Sequence, residues 1–448
     1  MTREIRFNAF DMNTVGHIQQ GMWRHPRDQS HRYGELSYWM ELAKTLERGL
    51  FDGLFLADVL GVYDVFGGGP EAAIRNAVQI PLGDPLMLIP AMAAVTEHLG
   101  FGVTSATTYE PPFMFARRMS TLDALTNGRM GWNIVTGYLD SAARAVGLTT
   151  QIPHDQRYDW ADDYLDTVYR LWEGSWAEDA LLRDRSTGIF TDPARVRRVQ
   201  GAGQYAVDAM HLCAPTPQRT PVLYQAGTST RGREFASTHA ECVFVNGSTR
   251  PQVAELVADL RAKAKHPLKI FVGATIVTGR NDAEAAEKLA EYRNHASAEG
   301  ALAQFSASTG MDFAKFELDE PIRHQTTQGN QSNVEAITTR SASTWTKRKL
   351  IESLILGSRQ QPIVGGPQKV CDALQAWVDE ADVDGFNLSR TVTPECVEDI
   401  VEHIVPELQA RGVYKTAYRS GTLREKLFGH PRLPGTHRGA AAKFRDAP

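Results

Sequence analysis

Residues 38–58, YWMELAKTLERGLFDGLFLAD, carry the pattern that the rest of the chain repeats. Trp39, Leu42, Ala43 and Leu46 recur at the spacing of a helix with one buried face, and Gly49 ends it. The run GLFLAD, 53–58, is then continuously apolar up to a terminal acid, as a strand buried on both faces should be. With IRFNAF, 5–10, as a preceding strand, the order is strand, helix, strand, which a parallel crossover satisfies and a hairpin does not.

Working outward, the same alternation predicts helices over 85–98, 112–125 and 159–172, and strands at FGVTSAT (101–107), RMGWNIV (129–135), 221–226, 242–245, IFVGATIVT (270–278) and GFNL (385–388). Eight strands separated by helices predict an α/β fold of the (β/α)8 TIM-barrel type rather than a doubly wound sheet. The length above ~250 residues is assigned to insertions near 61–85, 173–219 and 294–361 within a single domain, 1–410. The last insertion contains TTQGNQSNVEAITTRSAST, which reads equally as a lid or as a disordered segment. The tail, 411–448, is basic and reads as solvated or as a subunit contact.

Composition narrows the function. A formal net charge of −5 over 448 residues disfavours nucleic acid or an anionic membrane as partner, and no window approaches a membrane helix. The first residues, MTREIRFNAFDMN, lack the apolar core of a signal peptide, and Cys213, Cys242, Cys371 and Cys396 lie too far apart for a zinc or secretory framework. A cytoplasmic protein acting on a small molecule is expected. His17, His25 and His31 are irregularly spaced, so no metal is expected. No H-E-x-x-H, G-x-S-x-G, carboxylate pair or G-x-G-x-x-G after a strand is present, which leaves the hard chemistry to a cofactor held by the barrel.

Barrel function collects at the C-terminal ends of strands, where this chain has Asn8, Phe10 and Met12, Asp58, Thr104 and Thr107, Asn133 and Thr136, Ala226 and Gly227, and Asn246. At 221–233, PVLYQAGTSTRGR, a strand breaks into Gly227, three hydroxyls and a helix start, which suits an anion; an ordinary capped turn is the other reading. Asp58 is either a cofactor contact or a loop-capping acid. His154 and Tyr158 stand near the helix start at Asp159, as phosphate contacts or as packing residues.

Five segments then become recognisable: NAFDMNTVGHIQQGMWRHP (8–26), FDGLFLADVLGVYDV (51–65), ARRMSTLDALTNGRMGWNIVT (116–136), HDQRYDWADDYLDTVYRLWEGSW (154–176) and TPQRTPVLYQAGTSTRGREFA (216–236). In this order they resemble the bacterial-luciferase-like flavin monooxygenases, in the branch of nitrilotriacetate, dibenzothiophene-sulfone, dimethyl-sulfide and long-chain-alkane monooxygenases. The resemblance implies reduced FMN (FMNH2), supplied by a separate NAD(P)H-dependent flavin reductase, and O2 as co-substrate, reacting through a flavin peroxide. It places flavin contacts on Asp58, Thr104, Asn133, Thr136, Tyr158, Ala226, Gly227, Thr228, Ser229 and Thr230, the last run holding the phosphate. It also implies a homodimer or homotetramer. Tyr63, Gln79 and the 294–361 insertion are expected to cover the flavin, and His17 to donate a proton or hydrogen bond. Alkane-oxidising relatives carry cysteine at the position of Thr14 and histidines at those of Tyr138 and Met311. A pocket with Thr14, Tyr63, Gln79 and Tyr138 therefore predicts a polar or aromatic substrate. Cleavage of riboflavin to lumichrome and a sugar, known in the same branch, is the alternative.

Overall fold

The computed structural model describes residues 3–227, 229–327, 329–341, 343–356 and 361–445. Eight parallel strands close on themselves in sequence order: β1 (Arg6–Met12), β2 (Gly53–Ala57), β3 (Gly100–Ala106), β4 (Met130–Val135), β5 (Val222–Gln225), β6 (Cys242–Val245), β7 (Lys269–Thr278) and β8 (Gly385–Ser389), which pairs back onto β1. The expected TIM barrel is the fold. A short strand, Ile363–Gly365, that periodicity does not reveal extends β7.

Around the strands lie α1 (Leu36–Arg48), α2 (Ile89–Ala93), α3 (Pro112–Leu125), α4 (His154–Tyr169), α5 (Thr230–His239), α6 (Arg250–Lys263), α7 (Pro367–Ala381) and α8, whose turns run Glu395–Asp399, Ile400–Ile404 and Val405–Ala410. Their apolar faces bury the outward side chains of the barrel in one large core. Inside the barrel, Phe55, Tyr224, Phe244 and Phe271 fill the middle. The barrel can hold such rings because neighbouring strands supply glycine. A Cβ on Gly131 would stand 2.4 Å from the Tyr224 ring, and one on Gly102 would stand 2.9 Å from Phe55.

Several expectations are corrected. The helix predicted over 85–98 is a single 3-10 turn, Pro85–Met87, followed by the short α2. The Glu47 carboxylate of α1 accepts the N–H groups of Glu97, His98 and Leu99, which draws the chain out of helix before β3. The helix predicted from Asp159 begins at His154. The 173–219 insertion carries two small antiparallel pairs, Leu181–Asp184 with Ile189–Thr191 and Val199–Gln200 with Asp208–Ala209. The described part of the 294–361 insertion has a small core of its own, with Leu302, Phe313, Val334 and Leu350 buried together.

The basic tail is not a solvated arm. Its helix, Leu423–Phe428, inserts Leu423 and Leu427 beneath Val222 and Cys242 and closes the floor of the barrel. Arg424 is fully buried there and grips Glu241 with two bonds, Nε to Oε1 at 2.7 Å and Nη2 to Oε2 at 2.8 Å. Glu241 sits between β5 and β6 and also accepts the Leu223 N–H at 3.1 Å. No helix among the described residues is long and apolar enough to cross a membrane.

Candidate active site

Parallel pairing puts all eight strand C-termini at one mouth, and the register turns alternate residues inward. Above the aromatic layer these inward positions surround a cavity of about 300 Å³. It brings together His17, Asp58, Tyr63, Gln79, Thr104, Asn133, Tyr138 and Ala226 of the residues expected from the sequence. Thr104 and Asn133 are neighbours across β3 and β4, and Asn133 Nδ2 donates to the Thr104 hydroxyl at 2.9 Å. Asn133 Oδ1 is left buried with no partner among the described residues, as is Asn387 Oδ1 on β8. Buried amide oxygens in this condition are prepared for a ligand that donates.

One wall is a hydrogen-bonded chain. The Tyr63 hydroxyl donates to Gln79 Oε1 at 2.6 Å and lies 3.1 Å from the Tyr138 hydroxyl. Burial first, and the Tyr138 hydroxyl next, push the Tyr63 phenol well above its ordinary pKa, so it stays a neutral donor. Gln79 is held at φ +53°, a left-handed conformation that a side-chain-bearing residue adopts at some strain. Gln79 Nε2 reaches the His17 carbonyl at 3.4 Å, and Gln304 Nε2 from the insertion donates to the same oxygen at 3.1 Å. The His17 ring packs edge-on against Phe10 with centroids 4.5 Å apart. Burial, and then the positive charge of Arg390, hold its pKa well below the ordinary histidine value, so the imidazole is neutral.

Asp58 stands at the end of β2, where burial and then the Asp84 carboxylate raise its pKa to about 7. A carboxyl that holds its proton only in the folded state destabilises the fold once the unfolded chain can ionise, from about pH 4 upward, with the full effect above pH 7. Asp58→Asn should therefore stabilise the protein by about 1–3 kcal/mol near pH ~8 and by little near pH ~4. Urea unfolding at the two pH values reads this directly.

At the other end the chain passes from Ala226, on the cavity wall, into the anion cradle. Gly227 N–H donates to Gln225 Oε1 at 2.7 Å, and Ser229 caps α5 by accepting the Gly232 N–H at 3.0 Å. The Tyr158 hydroxyl closes the cradle from α4: a Cβ on either Gly227 or Gly232 would come within 2.9 Å of it. Arg231 lies over the Tyr158 ring, with 5.7 Å to its centroid, and is tied to Asp159 and Asp162. Thr230 is the first residue of α5, and Thr228 lies outside the described residues. Thr136 sits in the loop after β4, its carbonyl accepting the Thr108 hydroxyl at 2.7 Å.

Thr14 does not line the cavity. It is buried, and its hydroxyl donates to the Pro81 carbonyl at 2.6 Å. Three residues that the sequence reading did not single out do line the cavity, and Arg157 adjoins the cradle residue Tyr158. Arg157 is buried beside Tyr158 and donates to the Gly137 carbonyl. Asn387 and Ser389 face the cavity from β8, and Gln304 enters from the insertion. Alternation along GFNL could have exposed Asn387, since it follows the inward Gly385 by two. A second cavity of about 740 Å³ lies between α6 and the insertion and shares Asn246, Phe305, Asn333 and Leu354 with the first. These four residues are the partition between the inner cavity and this outer one.

The cradle and the cavity fit a phosphorylated ring cofactor: two glycines where a side chain would collide, a capped helix N-terminus, and unpaired buried amide oxygens around the ring-sized space. Comparison with known proteins agrees. The dimethyl-sulfide monooxygenase of Hyphomicrobium sulfonivorans is 47% identical over 100% of this chain and 95% of its own length. The long-chain alkane monooxygenase of Geobacillus thermodenitrificans is 48% identical over 100% and 99%. Among solved structures, a riboflavin lyase crystallised with modified FMN and riboflavin superposes with a TM-score of 0.92 at 35% identity, covering 99% of this chain and 100% of that one. Residues 19–384 match the family described as luciferase-like monooxygenase. With this barrel and this mouth, the chain belongs to the luciferase-like monooxygenase family and is a flavin-dependent oxidoreductase.

Proposed function

We propose that the protein is an oxygenase that uses reduced FMN and O2 to oxidise a small polar or aromatic organic compound, with FMNH2 delivered by a separate NAD(P)H-dependent flavin reductase. The observation that carries this reading is the continuity of the Tyr158–Ser229 cradle with the cavity through Ala226, which suits a phosphate at one end and a flat ring at the other. When bound, the flavin supplies the activation of oxygen. The protein's own residues do the rest. Ser229, Tyr158 and the first N–H groups of α5 bind the phosphate. Thr104, Asn133 and Asp58 orient the ring, and Gln304 and Phe305 of the insertion keep water out.

The substrate reading rests on the Tyr63–Gln79–Tyr138 wall. These groups bond to one another and give the wall a polar face, which suits a substrate with hydrogen-bonding groups better than a pure hydrocarbon. Tyr138→Phe should lower kcat/KM for the true substrate by roughly tenfold while FMN affinity changes less than about twofold. Product analysis and a flavin titration on the same preparation check both halves. If flavin binding falls first, Tyr138 belongs to the cofactor site.

The similarity to the solved riboflavin lyase favours one second reading, in which a second flavin is the substrate and lumichrome the product. Turnover with FMN, NADH, a generic reductase and O2, offered riboflavin beside organosulfur and aromatic compounds, separates the two by product mass. Use of a reduced cofactor fits a cytoplasmic setting. A homodimer or homotetramer is supported by the exposed Leu182, Phe190 and Leu212 of the 173–219 insertion.

A further inference from the structure

Beside His17, which also lines the active cavity, lies a small space of about 10 Å³ bordered by the polar residues His17, Gln19, Asp28, Ser30, Arg390 and Thr391 together with Val15, Ile18 and Met22. The three polar residues that matter are buried: His17, Gln19 and Thr391 are 3%, 5% and 2% exposed. Three of their atoms are buried without a hydrogen-bond partner among the described residues, namely His17 Nδ1, Gln19 Oε1 and Thr391 Oγ1. The Thr391 hydroxyl stands beside the weakly bonding Cys396 thiol. The remaining groups are already committed. Arg390 pairs with Asp11 at 2.7 Å and donates to the carbonyls of Thr14 at 2.9 Å and Val15 at 2.8 Å. Asp28 accepts the N–H groups of Ser30 and Thr393, each at 2.9 Å, and Gln19 Nε2 donates to the Thr275 hydroxyl at 3.0 Å.

A buried polar space needs roughly 10–15 Å³ and two to four partners to hold one water. We infer that this space is a site for a single structural water, donating to His17 Nδ1 and Gln19 Oε1 and accepting from the Thr391 hydroxyl, and that it fixes His17 as the tautomer with its proton on Nε2. The hydrogen-bond count closes: the water's two hydrogens meet two acceptors, and its oxygen meets a hydroxyl donor. Each group thereby escapes the penalty of an unpaired buried polar atom. The consequence is functional. A neutral imidazole whose Nδ1 accepts from this water must present Nε2–H as a donor, and His17 also lines the active cavity. His17 therefore serves the proposed reaction as a hydrogen-bond donor with a fixed direction.

The inference rests on the placement of His17 at the active cavity and is tested without turnover. In the full-length protein carrying nitrogen-labelled histidine, the His17 signals, identified by their loss in His17→Asn, should show an unprotonated Nδ1 and a protonated Nε2. Thr391→Val and Gln19→Met should each move the pair toward a tautomer mixture, and high-resolution diffraction should show one water among the three atoms. A protonated Nδ1 in the unsubstituted protein overturns the inference even if both variants fail to fold. So does an empty density map at this position. Failure of the oxygenase reading would leave these readouts unchanged.

Discussion

Ser229→Asp should abolish tight FMN binding while leaving the fold intact. Aspartate caps helices as well as serine does, so α5 keeps the bond that the Ser229 hydroxyl accepts from the Gly232 N–H at 3.0 Å. What changes is the charge facing the cradle. Two like charges about 4 Å apart at a partly shielded site repel by about 4 kcal/mol, which corresponds to a loss of roughly 100- to 1000-fold in affinity. Riboflavin has no phosphate and supplies the control: its affinity should change by less than about threefold. Fluorescence titration with both flavins reads the two values. Equal losses would place the effect in the ring pocket, and unchanged FMN affinity would remove the phosphate from this turn.

The second large effect is on stability. Arg424→Leu leaves the Glu241 carboxylate buried with only the Leu223 N–H, and breaking one half of such a pair costs about 3–5 kcal/mol. Replacing both Arg424 and Glu241 by methionine should recover more than half of that loss, because the desolvation penalty leaves with the charges. The double variant separates the role of the ion pair from that of the tail helix, whose Leu423 and Leu427 remain in the floor. Urea unfolding of the three proteins measures it. A single variant as stable as the parent would show that Glu241 finds water or another donor.

These two predictions fall on regions of unequal legibility. The strands were readable because a parallel strand covered on both faces is a continuous apolar run, as in GLFLAD and IFVGATIVT, and no distant residue changes that reading. The helix predicted at 85–98 failed because its end is set by Glu47, about fifty positions earlier, which takes the N–H groups the helix would have used. The tail misled for the same reason. Arg424 looks like solvated charge until Glu241 is brought beside it by the barrel.

The site shows the same division. Strand-end position alone marked Asp58, Thr104, Asn133 and Ala226, and the barrel brings them to one cavity. Thr14 was marked by comparison with relatives, but local geometry turns its hydroxyl to Pro81. Asn387 and Arg390 are hard to single out because the eighth strand lies more than a hundred residues beyond β7, outside the regular alternation of the other seven. Arg390 matters only through contacts with Asp11, Thr14 and Val15 at the opposite end of the chain.

The most direct measurement of the central claim is a single turnover. Protein saturated anaerobically with FMNH2 is mixed with isotopically labelled O2 and the organosulfur and aromatic panel, and the products are weighed. One labelled oxygen atom is expected in an organic product, formed only when the flavin enters reduced. Product oxygen drawn from water, or turnover that proceeds without reduced flavin, would contradict that claim.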